Sequence, residues 1–444
     1  MLMDVGLNST DLVSIEEDLQ ALAAAKDQWA KTSIQARIKL LSDIKVALMR
    51  VAPGWAEAAA RKKRIPAGSP LAGEEWMSGP YTVMAMCNAL MSTLSQLQGK
   101  TILAHLPQRR LGSGQLAVEV IPHSIWDRLL LSGVSAEVWM RPGVNEKNLA
   151  EHCATAYDIP LERRQGRLAL VLGAGNIAAI SPLDAFQKLF IENQVVILKM
   201  NPVNEYLTEY LRAALKPLID CDALRIVKGD GALGAFLTDH PLVEEIHITG
   251  AGATHDAIVW GTGEDGRQNK LAQRPKNPRK ITSELGAVCP TIVVPGPWSR
   301  SDIAFQAENI ATQKLHNSGF NCVACQTLIL PKTWSKTEEL LNQIERVMSC
   351  AGQREAYYPG SEQRTSEFAR HSRRYRRLER GPNAPVCILT DMDQSDETWL
   401  ANNEVFGPAL ATKFLESDDP AVYLERAIEF ANNELYGTLG ANIV

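Results

Sequence analysis

Three observations predict an α/β fold, with a Rossmann-like domain and a second α/β domain. Four short apolar stretches, at 167–172, 194–199, 224–227 and 244–249, alternate with segments of helical spacing. Near-continuous apolar strands parted by helices imply a parallel sheet covered on both faces. The first stretch runs straight into Gly173-Ala174-Gly175-Asn176-Ile177-Ala178, a glycine turn between strand and helix. Finally, 444 residues at 45% hydrophobic are enough for a large core and two domains.

Taken in order, residues 14–62 carry alanine, leucine and charge at helical spacing and read as two amphipathic helices, with Ser14 and Glu17 as a capping box at the start. A further helix is expected over 76–97. Residues 115–141 turn to β pattern around a short helical piece, with Trp126 and the nearby leucines read as core or subunit interface. After the first two parallel strands, helices are expected over 203–216 and 231–238. The glycines and basic residues of 261–280 predict a polar loop and a domain boundary. This gives residues 1–280 as N-terminal helices and nucleotide-binding domain, and 281–444 as a second domain. The last residues, Gly440 to Val444, read as part of a strand, so the second domain looks truncated at its C-terminus.

Charge and composition narrow the partners. A net charge of -5, from 46 basic and 51 acidic residues, offers no field for nucleic acid or an anionic membrane. The basic run Arg370 to Arg377 is short and isolated and reads as a solvated helix face. Eight scattered cysteines are too few for a disulfide scaffold and fit a reducing, cytoplasmic setting. The opening Met-Leu-Met-Asp-Val-Gly lacks the basic and apolar regions of a leader, and no window approaches a membrane span.

The chemistry concentrates in Asn317-Ser318-Gly319-Phe320-Asn321-Cys322, which sets a cysteine after a glycine-containing turn. A thiol there is partly exposed, near backbone amides, and suited to nucleophilic attack. Cys325 makes a Cys-x-x-Cys pair with it, but no second close pair exists, so metal is not expected and Cys325 is taken as core. The glycine motif at 173–178 fits a dinucleotide fingerprint only loosely. The second strand should then end in an acidic residue, whereas it ends in Lys199.

Five motifs in one order resemble the aldehyde dehydrogenase superfamily: Gly231 through Val243 with Ile246 to Gly250, Glu284-Leu285-Gly286, Asn317-Ser318-Gly319, Cys322, and Glu404-Val405-Phe406-Gly407-Pro408. The resemblance covers residue 165 onward. It implies Cys322 as nucleophile, Glu284 as the base that activates water, and Asn176 as oxyanion donor, although the family's Pro-Trp-Asn is here Ala174-Gly175-Asn176. It implies NAD or NADP as cofactor, with Lys199 on the adenosine ribose, Glu404 and Phe406 at the nicotinamide side, and Gly250 and Ala251 opening a helix toward the pyrophosphate. Pro202 stands where the family has an acidic residue, which favours acceptance of NADP as well as NAD, with Glu205 as a substitute acid. The implied reaction oxidises a small aldehyde to a carboxylic acid through a thioester, and the implied assembly is a homodimer or homotetramer when a C-terminal tail is present. Two alternatives stay open: a CoA-acylating enzyme, and a non-catalytic nucleotide-binding homologue.

Overall fold

The computed structural model describes residues 9–352, 354–381, 384–417 and 419–444, so the opening Met1 to Gly6 lies outside the described residues. Two long helices, Ser9–Ala30 and Ile34–Lys62, come first. Ser33 caps the second by accepting from the Ala36 amide at 3.2 Å. Its apolar stripe of Leu41, Ile44, Leu48 and Trp55 is fully buried. Truncating Trp55 alone would cost about 3 to 5 kcal/mol.

A small antiparallel sheet follows, made of β1 (Gln108–Arg110), β2 (Leu116–Ile121) and β3 (Ala136–Trp139). Its own core is Leu116, Val118, Val144 and Leu149.

The first large sheet contains β4 (Leu168–Leu172), β5 (Val195–Lys199), β6 (Leu224–Val227), β7 (Glu245–Gly250) and β8 (Lys280–Leu285), in the order β6-β5-β4-β7-β8. All four pairings are parallel, as the apolar strands demand. The chain steps outward from β4 to β5 and β6, then returns to the other side of β4 with β7. A crevice opens at that switch, at the carboxyl ends of β4 and β7, where open α/β sheets hold their ligands.

The second sheet has six strands: β9 (Cys289–Ile292), β10 (Cys325–Pro331), β11 (Tyr375–Leu378), β12 (Cys387–Asp391), β13 (Ala409–Leu415) and β14 (Asn442–Ile443). Their order is β11-β12-β13-β10-β9-β14, antiparallel only between β11 and β12. Apolar clusters around Ile329 and Leu328 pack on either side of it.

Several local expectations need correction. The first helix begins at Ser9, so Ser14 is an exposed interior position rather than a cap. Residues 261–280 are not all loop: Gly263–Leu271 is a helix, with Glu264 and Asp265 in its first turn and Lys270 in its last, which suits the helix dipole. The first sheet also runs past residue 280 to Leu285, and the second begins at Cys289. The expected helix over 76–97 is broken by a π turn at Met77–Tyr81, where Gly79 leaves helical geometry before Pro80. That over 203–216 is a 3₁₀ turn, Glu205–Leu207, followed by the helix Thr208–Ala214. The basic run leaves its helix at Arg370 and continues into the exposed strand β11, so it covers a sheet edge rather than a helix face. Trp126 is 65% exposed and is not core.

Candidate active site

A cleft of about 780 Å³ opens at the switch point and is lined by all eight residues singled out in the sequence: Asn176, Lys199, Gly250, Ala251, Glu284, Cys322, Glu404 and Phe406. They reach it from both large sheets. Asn176 follows β4, Lys199 ends β5, Gly250 ends β7 and Glu284 sits in β8. Cys322 precedes β10 and Glu404 precedes β13.

The glycines after β4 line the cleft but are required by packing within the protein. A Cβ on Gly173 would lie 2.3 Å from the Ser181 hydroxyl, and one on Gly175 would lie 2.7 Å from the Asn201 side chain. Glycine is needed there for close packing against the protein itself.

The helix Gly252–Trp260 is different. Ala251 precedes it in extended geometry and no side chain caps its first amides, which leaves donors and a positive dipole end toward the cleft. The neighbouring helix Gly231–Asp239 has the opposite character: the Asp230 carboxylate accepts from the amides of Ala232 at 2.9 Å and Leu233 at 3.3 Å. Lys199 is buried with its side chain on the cleft. Burial pushes its ammonium down from the usual lysine range, opposed by the charges of Glu205 and Asp230. Glu205 also accepts from the Gly229 amide at 2.8 Å.

At the other end, the helix Arg300–Leu315 runs into Asn317, Ser318 and Gly319, with φ of 53°, 58° and 80°. Three successive left-handed residues are costly unless the surroundings impose them. A Cβ on Gly319 would meet the Gly407 carbonyl at 2.7 Å. The turn is held by hydrogen bonds from buried amides. Asn176 Nδ2 donates to the Phe320 carbonyl at 2.9 Å, and Asn317 Nδ2 donates to the carbonyls of Asn176 at 3.2 Å and Phe320 at 3.1 Å. One Asn176 amide hydrogen is therefore committed to the protein.

Cys322 is half-buried. Its surroundings raise the pKa of the thiol. Burial comes first and the charges of Glu284 and Glu404 add to it, while the backbone amides of Cys322 and Val323 act the other way. Among the described residues, no side-chain cation is one of the main groups that act on it. Glu284, the carboxylate implied as base, is exposed rather than set in an apolar pocket, because β8 is an edge strand open to the cleft. Glu404 fits that description better. Burial pushes its carboxyl up to about 7 against the pull of Lys314 and Arg364, and its Oε1 is buried with no partner among the described residues.

Around Glu404 stand residues with no sequence signal. Arg364 donates to the carbonyls of Val405 at 2.8 Å and Phe406 at 3.2 Å, and Phe406 is itself left-handed at φ 46°. Fully buried Lys314 donates to the Gly407 carbonyl at 3.2 Å. Cys325 is fully buried, as expected of core, and among the described residues no cluster of three or more His, Cys, Asp or Glu could hold a metal.

Comparison with known proteins agrees with this layout. Residues 176–352 match the model of the Aldehyde dehydrogenase family. Over 242 residues the chain is 30% identical to peroxisomal aminoaldehyde dehydrogenase 1 of Malus domestica, covering 50% of this chain and 43% of that one. Over this stretch the chain is similar to aldehyde dehydrogenases. A putative aldehyde dehydrogenase of Staphylococcus saprophyticus is 26% identical over 238 residues, covering 48% of this chain and 45% of that one. The matched stretches thus span less than half the length of these aldehyde dehydrogenases. Among solved structures, indole-3-acetaldehyde dehydrogenase in complex with NAD+ superposes with a TM-score of 0.66 at 14% identity, covering 98% of this chain and 77% of that one. The aldehyde dehydrogenase KauB from Pseudomonas aeruginosa gives a TM-score of 0.64 at 14% identity, covering 98% and 81%. These establish a shared aldehyde dehydrogenase fold across both large sheets.

Proposed function

We propose that this chain oxidises an aldehyde to a carboxylic acid with NAD or NADP, using Cys322 as nucleophile. The observation that carries the reading is the single cleft, in which an uncapped helix end and Lys199 at one side face Cys322, Asn176 and Glu284 at the other.

The residues present fit a dinucleotide. The open amides beside Ala251 suit a pyrophosphate, Lys199 can donate to a ribose hydroxyl, and the unpartnered Glu404 Oε1 can accept from one. When bound, the oxidised nicotinamide supplies a hydride acceptor and a positive charge. Cys322, whose thiol is raised by burial and two carboxylates, gives its proton to Glu284 as its sulfur adds to the aldehyde carbon. The remaining Asn176 amide hydrogen and the Cys322 amide stabilise the oxygen that becomes negative. After hydride loss, Glu284, exposed to solvent, releases the Cys322 proton to bulk water; it then takes a proton from the water that cleaves the thioester, and returns it to the departing Cys322 sulfur as the acid leaves.

The test is Glu284→Gln. Acyl-enzyme should accumulate on Cys322, seen as a mass increment on the intact protein, with steady-state turnover down about a hundredfold or more. Unimpaired turnover that needs CoA would replace hydrolysis by acyl transfer, and retained water-dependent turnover would remove Glu284 from the mechanism. The same proposal includes a cytoplasmic setting, to be checked by cell fractionation. It also includes self-association of two copies through the exposed Trp126 and Leu129 of the helix Ile125–Leu130 and Trp139 at the end of β3, to be checked by light scattering of the wild type against Trp126→Glu.

A further inference from the structure

Behind the cysteine turn lies a group of buried charges that the proposed chemistry does not use. Lys63, at the end of the helix Ile34–Lys62, is 1% exposed and pairs with the equally buried Glu75 at 2.9 Å. Arg354, 3% exposed, pairs with Glu75 at 2.8 Å and with Glu74. Glu74 accepts from the Asn317 amide at 3.3 Å. Lys63 Nζ then donates to Asn317 Oδ1 at 3.2 Å, and the Tyr357 hydroxyl lies 3.0 Å from both Asn317 Oδ1 and the Asn176 carbonyl.

The donor rules make this arrangement directional. An ammonium has no acceptor, so Lys63 can only face the oxygen of the Asn317 carboxamide, whereas Tyr357 can donate or accept with its single proton. Lys63, together with the Asn176 and Phe320 carbonyls, therefore fixes which way the carboxamide points. With its oxygen held by Lys63, its nitrogen is turned onto the Asn176 and Phe320 carbonyls. The reverse orientation would set Oδ1 against two carbonyl oxygens and free the strand-end loop from the cysteine turn. A buried ion pair is a costly way to gain stability, and large penalties follow only from breaking it, so a role in specifying geometry accounts better for its presence.

We propose that Lys63 is a positioning residue for the Asn176 and Cys322 pair, acting through the carboxamide of Asn317. Resting on the dehydrogenase reading above, this makes the N-terminal helical layer part of the active site.

The test is a double-mutant cycle on the full chain with Lys63→Met and Asn317→Asp, the latter keeping shape while removing both amide donors. Each change should lower kcat by about tenfold to a hundredfold per folded molecule, and the pair together no more than either alone. The dissociation constant for NAD(P), read by fluorescence titration, should stay within about twofold, as should every parameter of Lys62→Met, the exposed neighbour. Full additivity, or loss of thermal stability with kcat unchanged, would overturn the proposal. Alkylation of Cys322 by iodoacetamide is followed in the same proteins. Should the wild type turn over no aldehyde, the dehydrogenase reading fails, and equal, non-additive changes in alkylation rate still support the positioning role. Unchanged alkylation would refute it. If Lys63→Met does not fold, Lys63→Gln with Tyr357→Phe serves as the second pair: non-additive loss supports the assignment and additive loss refutes it.

Discussion

The two ends of the cleft are built in different ways. The end proposed to hold the nucleotide relies on backbone: an uncapped helix after Ala251 and one lysine at a strand terminus. At the cysteine end, three consecutive left-handed residues are pinned by side chains from elements hundreds of residues apart, such as Lys63 on Asn317. A site made of backbone amides tolerates side-chain change around it. One that depends on imposed backbone geometry does not.

The sharpest way to separate the ends is Cys322→Ala. Aldehyde oxidation should fall by more than about a thousandfold while nucleotide affinity stays within about twofold, measured by coupled absorbance and by fluorescence titration. Next comes Gly319→Ala, which adds a Cβ at φ 80° against the Gly407 carbonyl. Denaturant unfolding should show a loss of about 2 to 4 kcal/mol, from left-handed strain and overpacking together. A loss under about 0.5 kcal/mol, typical of a surface change, would mean the turn is not imposed.

Glu404→Gln tests the junction between the ends. The folded carboxyl is raised from 4.5 to about 7, so the folded state binds more protons between those values and stability falls as pH rises through that window. Glutamine should therefore match wild type below about pH 4.5 and exceed it by up to about 3 kcal/mol above pH 7. A difference that does not change with pH would contradict the burial argument. The smallest effect is expected from Ala251→Ser. A serine cap should add about 1 kcal/mol of stability by occupying the free amides, while weakening dinucleotide binding by competing for them.

The same contrast explains what could be read from the sequence. The apolar runs of β4 to β7 and the positions of Lys199, Gly250 and Cys322 follow from local patterns, and all eight chosen residues line one cleft. The helix Gly263–Leu271 was hidden because Gly263 and Gly266 weaken its pattern; its Gly266 lies so close to the Gly261 carbonyl that a Cβ would sit 2.2 Å away. Lys63, Glu75, Arg354 and Tyr357 leave no mark at any fixed spacing, since their partners are set by tertiary packing alone. The exposure of Glu284 was equally invisible, because it depends on which strand ends the sheet.

The arginines of β11 carry a consequence for behaviour at high concentration. This strand closes one side of the six-stranded sheet, and Arg376 and Arg377 are both exposed on it. A second molecule attempting to extend the sheet there would bring like charges into neighbouring register, so the ribbon stops growing at this border. Neutralising the pair would turn a guarded margin into a template for aggregation.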